Sequence, residues 1–237
     1  MMDFTWKDTR LGYTVRKRPE SIDIDRARFE GLYTSNVSDV MGKLMTMDHQ
    51  IKPVVPVQKP IIGHAITVMV HPGANLMVKK AMEMAQPGDV IVVNDQFDRN
   101  NALLGGIMAE MAAHKGIAAF VTNGLVRDQE ELEAAGVPVF SIGLTPMAPA
   151  SSRPMGQINT PISCGGVIVH PGDIIIADNS GVVAIPAMDL ETVLKRCEAL
   201  RKKEWDWLHP EVPGEYAIYA STNTELTNTG CEIEPGV

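Results

Sequence analysis

Two short segments of this 237-residue chain combine residue types that can do chemistry. In Leu103-Leu104-Gly105-Gly106-Ile107-Met108, a pair of glycines stands where a helix begins. The first backbone N–H groups of a helix have no intrahelical acceptor, and the helix dipole favours an anion there, such as a carboxylate. In Val121-Thr122-Asn123-Gly124-Leu125-Val126-Arg127-Asp128, the chain leaves a buried strand and ends in Arg-Asp. Strand carboxyl ends are where open α/β folds place ligands. Arg127 can grip a carboxylate with two parallel N–H···O bonds, and Asp128 can supply a hard oxygen to Mg²⁺. Alone, an Arg-Asp pair reads more readily as a surface ion pair or a turn. The glycine helix start is what gives it weight as a site.

Other chemistry finds less support. The sequence holds no G-x-x-x-x-G-K-[ST] loop, no G-x-G-x-x-G after a strand, no G-x-S-x-G elbow and no H-E-x-x-H. The six histidines are scattered and read as solvated or hydrogen-bonded surface groups. Cys164 lies beside Gly165-Gly166 with no basic partner in sequence, so it reads as a packed thiol rather than a nucleophile. Cys164, Cys197 and Cys231 are too far apart for a zinc site and odd in number for a disulfide framework.

The elements that must position the two segments alternate. Ile61 to Val70 is rich in β-branched residues and predicts a strand. A helix over Asn75 to Met84, a strand over Val90 to Val93, a helix over Ile107 to His114, a strand over Ile117 to Val121, a helix over Gln129 to Ala135 and a strand over Val137 to Ser141 follow. This alternation predicts an α/β layer fold. Gly143 to Ile162 carries four prolines and reads as one long loop. Runs at 167–169, 174–177 and 182–185, separated by His170-Pro171-Gly172-Asp173 and Asp178-Asn179-Ser180-Gly181, predict antiparallel hairpins. Upstream, Asp25 to Leu32 and a capped segment from Thr34 to about Met47 read as helices. Met188 to about Trp205 reads as an amphipathic helix, and the proline-bearing tail after His209 as irregular. Pro87-Gly88-Asp89-Val90 and Pro171-Gly172-Asp173-Ile174 read as one turn-then-strand solution used twice.

Composition narrows the classes. A net charge of −8 without a long basic run disfavours nucleic-acid binding. No stretch reaches the ~18 apolar residues of a membrane span, and the N-terminus lacks the apolar core of a secretory signal. The expectation is a cytoplasmic protein with neither nucleic-acid nor membrane partners.

Taken in order, Asn75, Pro87-Gly88-Asp89-Val90, Leu104-Gly105-Gly106, Asn123-Gly124-Leu125-Val126-Arg127-Asp128, Cys164-Gly165-Gly166-Val167, Pro171-Gly172-Asp173-Ile174 and Ala177-Asp178-Asn179-Ser180-Gly181-Val182-Val183 resemble the RraA-like family. That family includes 4-hydroxy-4-methyl-2-oxoglutarate and 4-carboxy-4-hydroxy-2-oxoadipate aldolases. The resemblance implies a single-domain α/β/β layered sandwich with mixed sheets, similar to the swivelling β/β/α fold. It divides the chain into an N-terminal arm and lead-in helix (1–33), a catalytic domain (34–186), and a C-terminal helix with an irregular tail (187–237).

It further implies a homotrimer or homohexamer with sites between subunits, and Mg²⁺- or Mn²⁺-dependent chemistry on small 2-oxo acids that releases pyruvate. Arg127 then matches the substrate-binding arginine, Asp128 the metal ligand, and Gly105, Gly106, Ile107 and Met108 the loop that holds the pyruvyl carboxylate. The family's D-x₂₀-R-D spacing is kept, with twenty residues between 106 and 127, but Gly106 replaces its first acid. The departure predicts a better oxaloacetate decarboxylase than aldolase, and a higher aldol-to-decarboxylation ratio in Gly106→Asp. The alternative is a non-enzymatic regulator that binds and inhibits ribonuclease E; Asp128 counts against it. A quinone-precursor methyltransferase has no glycine-rich nucleotide loop to support it.

Overall fold

Residues 13–150 and 155–234 are described by a computed structural model. In chain order the strands are β1 (Tyr13–Val15), β2 (Lys52–Pro53), β3 (Ile61–Val70), β4 (Val90–Asn94), β5 (Ala119–Thr122), β6 (Val139–Ser141), β7 (Gly156–Ile158), β8 (Ile162–Cys164), β9 (Val167–Val169), β10 (Ile174–Asp178) and β11 (Gly181–Ile185). The helices are α1 (Thr34–Val40), α2 (Leu76–Met84), α3 (Gly106–Lys115), α4 (Gln129–Ala135), α5 (Leu190–Leu208) and α6 (Ala217–Asn228).

β3 organises the fold because its two halves serve different neighbours. Residues 61–64 pair antiparallel with β10, while residues 65–69 pair parallel with β4. From there β4, β5 and β6 add in parallel, and α2, α3 and α4 form the crossovers. Side-chain alternation then sorts the core into layers. Ile66, Val68, Ile91, Val93 and Phe120 face α2, α3 and α4, whereas Ala65, Val90, Val92, Ala119 and Val121 face β8 to β11. Ile174, Ile176, Val183 and Ile185 turn outward from that second layer and are covered by Phe29, Leu32 and Val37 and by Leu190, Val193 and Leu194 of α5. The α/β/β layering expected from the sequence is therefore present, with α1 and α5 as a further cover.

Several expectations need correction. The 143–162 segment is not all loop: β7 lies inside it, paired with β1 on one side and with Val68–Val70 of β3 on the other. Three residues are too few to carry a periodicity, so only these long-range partners make β7 a strand. By the same pairing, Tyr13–Val15 of the N-terminal arm joins the sheet of its own chain, and Arg18 grips the buried Asp89 through Nε and Nη2 at 2.8 and 2.6 Å. The arm's first twelve residues lie outside the described residues. The lead-in is one short 3₁₀ turn over Arg26–Phe29, and α1 ends at Val40 rather than near Met47. The His170–Asp173 turn closes no hairpin, since β9 pairs with β8 and β10 with β3 and β11. The tail is not wholly irregular either. Its prolines flank a clear stretch from which α6 forms, with Ile218, Tyr219 and Leu226 exposed.

The repeated Pro-Gly-Asp is one turn used twice. Gly88 and Gly172 both have φ of +88°, and the Asp89 and Asp173 N–H groups both donate back to the carbonyl three residues earlier, at 3.1 Å. That is a type II turn, with proline presetting its first central residue and glycine accepting the positive φ of its second. Each aspartate is buried and also accepts the N–H of the residue three before it, at 2.8 and 2.7 Å.

Candidate active site

Arg127 and Asp128 reach the α3 start through backbone pairing. Beyond β5, residues 125–127 run between two loops: Leu103 N–H donates to the Leu125 carbonyl at 2.8 Å and Arg127 N–H to the Leu104 carbonyl at 3.1 Å. On the other side, Val126 N–H donates to Gly143 and Thr145 N–H to Val126. Arg127 is thereby held level with Gly105. At Asp128 the chain turns sharply into α4 with φ +62° and ψ +53°, a left-handed conformation that aspartate tolerates better than most residues. Non-glycine residues in that region cost of order ~1–3 kcal/mol and concentrate at functional sites.

The turn delivers the Asp128 carboxylate to the first residue of α3. Gly106 N–H donates to Asp128 Oδ2 at 3.2 Å, and Arg127 Nε lies 3.3 Å from the same oxygen. Both side chains remain about one-third exposed. The glycine pair is a requirement of this approach. A β-carbon on Gly105 would overlap Asp128 Oδ2 and come within 2.9 Å of Arg127 Cγ, and one on Gly106 would overlap the Glu131 side chain.

Gly105, Ile107, Met108, Arg127 and Asp128 line one cleft of about 570 Å³, together with Leu104, Asn75, Lys79, Pro149 and Ala150. Of the expected substrate loop, only Gly106 is turned away, its N–H being given to Asp128. Asn75 and Lys79 lie one helical turn apart at the start of α2; Asn75 Nδ2 donates to Met108 Sδ at 3.6 Å, and Lys79 is exposed.

The RraA-like family model, described as Aldolase/RraA, matches residues 34–184. The chain belongs to that family. A Halalkalibacterium halodurans protein provisionally named 4-hydroxy-4-methyl-2-oxoglutarate aldolase is 40% identical over 179 residues, 76% of this chain and 83% of that one. A Thermus thermophilus protein named 4-hydroxy-4-methyl-2-oxoglutarate aldolase is 35% identical over 112 residues, 47% of this chain and 68% of that one. Among solved structures, the RNA-processing inhibitor RraA from Thermus superposes with a TM-score of 0.59 at 30% identity, covering 65% of this chain and 92% of that one.

Within this RraA-like chain the donor set suits a loosely held hard cation. Among the described residues no three His, Cys, Asp or Glu side chains converge as a metal cage. The Asp128 carboxylate, whose Oδ1 has no hydrogen-bond partner among the described residues, faces an open cleft; that suits Mg²⁺ or Mn²⁺ held by few carboxylates with waters and substrate, and does not fit structural zinc. Cys164 takes no part. It is fully buried, donates to the Val93 carbonyl at 3.5 Å, and burial pushes its thiol up to about 12.

Two acids escaped the sequence reading. Glu131, three residues beyond Asp128 in the first turn of α4, lays its carboxylate against Gly106. Asp128 is the residue before α4 and Glu131 its third residue, so two acids three apart at a helix start were the signal available in the sequence. Asp95, just beyond β4, is completely buried, and neither carboxylate oxygen has a hydrogen-bond partner among the described residues. Burial and then the charge of Asp98 push it up to about 8, while the Gly73 backbone amide, outside hydrogen-bond geometry, offsets this only in part. Its side chain lies against Gly124, and its N–H donates to Asn123 Oδ1 at 2.8 Å.

Proposed function

We propose that this protein is a divalent-metal-dependent lyase that breaks a C–C bond in small 2-oxo dicarboxylic acids and releases pyruvate. The reactions are oxaloacetate decarboxylation, aldol cleavage of the 4-hydroxy-4-methyl-2-oxoglutarate type, or both. The observation that carries the reading is the convergence of Arg127, Asp128 and the first turn of α3 on one cleft. The aldolase-named relatives support it. Asp128 would hold Mg²⁺ or Mn²⁺, which when bound supplies Lewis-acid polarisation of the 2-oxo oxygen. Arg127 orients the adjoining carboxylate and offsets negative charge as it develops on oxygen. The Ile107 and Met108 N–H groups, in the first turn of α3, lack intrahelical acceptors and face anionic substrate. Lys79 adds a second cation for the far carboxylate. Exposed Ile107 and Met111, one turn apart on α3 beside the cleft, support assembly with further copies as a trimer or hexamer.

Pyruvate release from a panel of 2-oxo acids, with Mg²⁺, Mn²⁺ or chelator, tests the reading. Metal-dependent release from a dicarboxylic member is expected. Its absence with every metal would leave the second reading, a ribonuclease E-binding regulator, which the likeness to the RNA-processing inhibitor supports.

Two substitutions probe the ends of the cleft. Arg127→Lys keeps the charge and loses the planar fork. It is expected to raise KM and lower kcat, because the arginine contacts ground and transition states alike. Steady-state constants both within about twofold of wild type, roughly 0.4 kcal/mol, would make Arg127 a structural ion-pair partner instead. Lys79→Met is expected to raise KM for dicarboxylic substrates about tenfold, the scale of one charge-assisted contact, and to leave the Ki of oxalate, tested as a short competitor, within twofold. Equal effects on both ligands would remove Lys79 from the far subsite.

A further inference from the structure

We infer that Asp95, Asp98 and Asn101 form a second cation site, one that takes Ca²⁺ and lies behind the wall of the cleft, apart from Asp128. It stands independently of the lyase reading. Asp95 is wholly buried, and neither of its carboxylate oxygens has a hydrogen-bond partner among the described residues. A dry carboxylate left bare is among the costliest groups a protein can bury. A tight turn brings two more oxygens to it. Asp98 N–H donates to the Asp95 carbonyl at 3.1 Å across Gln96 and Phe97, whose φ values are +51° and +58°. Asp98, also buried, gives Oδ1 to the Asn100 N–H at 2.9 Å, and its Oδ2 has no hydrogen bond among the described residues. Asn101 Nδ2 donates to the Ala148 carbonyl at 2.9 Å, which fixes the amide so that Oδ1 faces Gly73. A β-carbon on Gly73 would lie 3.1 Å from both Asp98 Oδ2 and Asn101 Oδ1. The Gly73 amide faces Asp95 as well, so all three side chains gather at one glycine.

The donor set selects the ion. Its free atoms are carboxylate and amide oxygens, and neither aspartate enters an ion pair among the described residues. No imidazole or thiolate joins them, which disfavours zinc. Mg²⁺ gives up its water shell reluctantly and meets a wholly buried carboxylate poorly. Ca²⁺ accepts bidentate carboxylate and amide oxygens in irregular geometry. Half-buried Asn101 leaves one side open for the waters that complete its shell. Bound there, the ion ties the 95–101 loop to Gly73. The Gly73 carbonyl accepts the Ala150 N–H at 2.8 Å, and Ala150 lines the cleft. The role is structural: Ca²⁺ braces the cleft wall and touches no substrate. In cation-free protein a proton is the competing occupant.

The test uses the full-length Asp128→Asn protein, in which the cleft carboxylate no longer competes for metal, and its readouts need no turnover. Titration with CaCl₂ in a calorimeter, at a fixed KCl concentration, should show one site per chain. A hundredfold excess of Ca²⁺ over Kd should raise Tm by about 5 °C or more. Mg²⁺ should bind about tenfold more weakly, or worse. Adding Asp95→Asn should weaken Ca²⁺ binding by about 10²-fold or more and remove the Tm rise. Asparagine brings no charge to bury, so the double variant should fold at least as well as its parent, and the loss then belongs to the site. An absence of Ca²⁺ binding in Asp128→Asn up to about 5 mM, beyond the weak end of protein calcium sites, would mean that a proton or water alone satisfies Asp95. An affinity within about twofold in the double variant would put the ion elsewhere, and equal binding of Mg²⁺ would refute the choice of Ca²⁺. Each of these three results overturns the inference.

Discussion

Replacing Asp128 with alanine is expected to lower divalent-cation-supported pyruvate release on the order of 10³-fold, the rate equivalent of about 4 kcal/mol. Among the described residues no three His, Cys, Asp or Glu side chains converge to hold a metal without it. Alanine also sits poorly at φ +62°, where an L side chain other than Asn or Asp costs about 1 kcal/mol or more. Asp128→Asn separates the two effects, because asparagine accepts the left-handed conformation and keeps a side-chain oxygen for the Gly106 N–H. Both variants should lose Mn²⁺ binding by calorimetry, and only alanine should also lower Tm. Near-wild-type turnover by either one, with Mg²⁺ or with chelator, would remove Asp128 from the metal site.

Asp95→Asn is expected to stabilise the protein at neutral and alkaline pH. The folded carboxyl titrates at about 8, whereas an unfolded aspartate titrates near ~3.9. Between those values the folded state binds the extra proton, so stability falls as pH rises through the window and levels off above it. A displacement of that size corresponds to on the order of 5 kcal/mol at most, and to about 10 °C in Tm for a chain of this length. Thermal unfolding followed from pH 5 to pH 9 should show a steady loss in the wild type and a much flatter profile in Asp95→Asn. Below pH 4 the two should converge. A wild-type Tm that holds level across this range would mean that the buried carboxylate is charged and paired.

The elements that position the cleft were legible because each carries its own local signal. β3 runs over Ile61–Val70, as its β-branched content predicts, and α4 over Gln129–Ala135, as the strand–helix alternation predicts. The glycine helix start and the Arg-Asp strand end were also local signals, being the unsatisfied ends of regular elements with charge beside them. Their meeting was not local. It depends on three backbone hydrogen bonds from residues 103, 126 and 127 to chain 17 to 23 residues away, and no periodicity encodes such bonds.

The same limit explains what was misread. β7 is three residues long and exists only because β1 and β3 offer it edges from both sides. Gly106 looked in sequence like a lost acid, since a sequence records which side chain is missing and not what fills the space. Only the packing of the α3 start against α4 puts Glu131 there, 25 positions along the chain. Asp95 likewise reads as an ordinary polar residue after a strand. Its surroundings are set by Gly124, Gly73 and Asp98 gathering around it, because desolvation depends on every neighbour in three dimensions and on none in sequence. Residue types and their spacing thus determined the elements and the candidate chemistry; which charged groups stand together, and how dry they are, was decided by the tertiary fold.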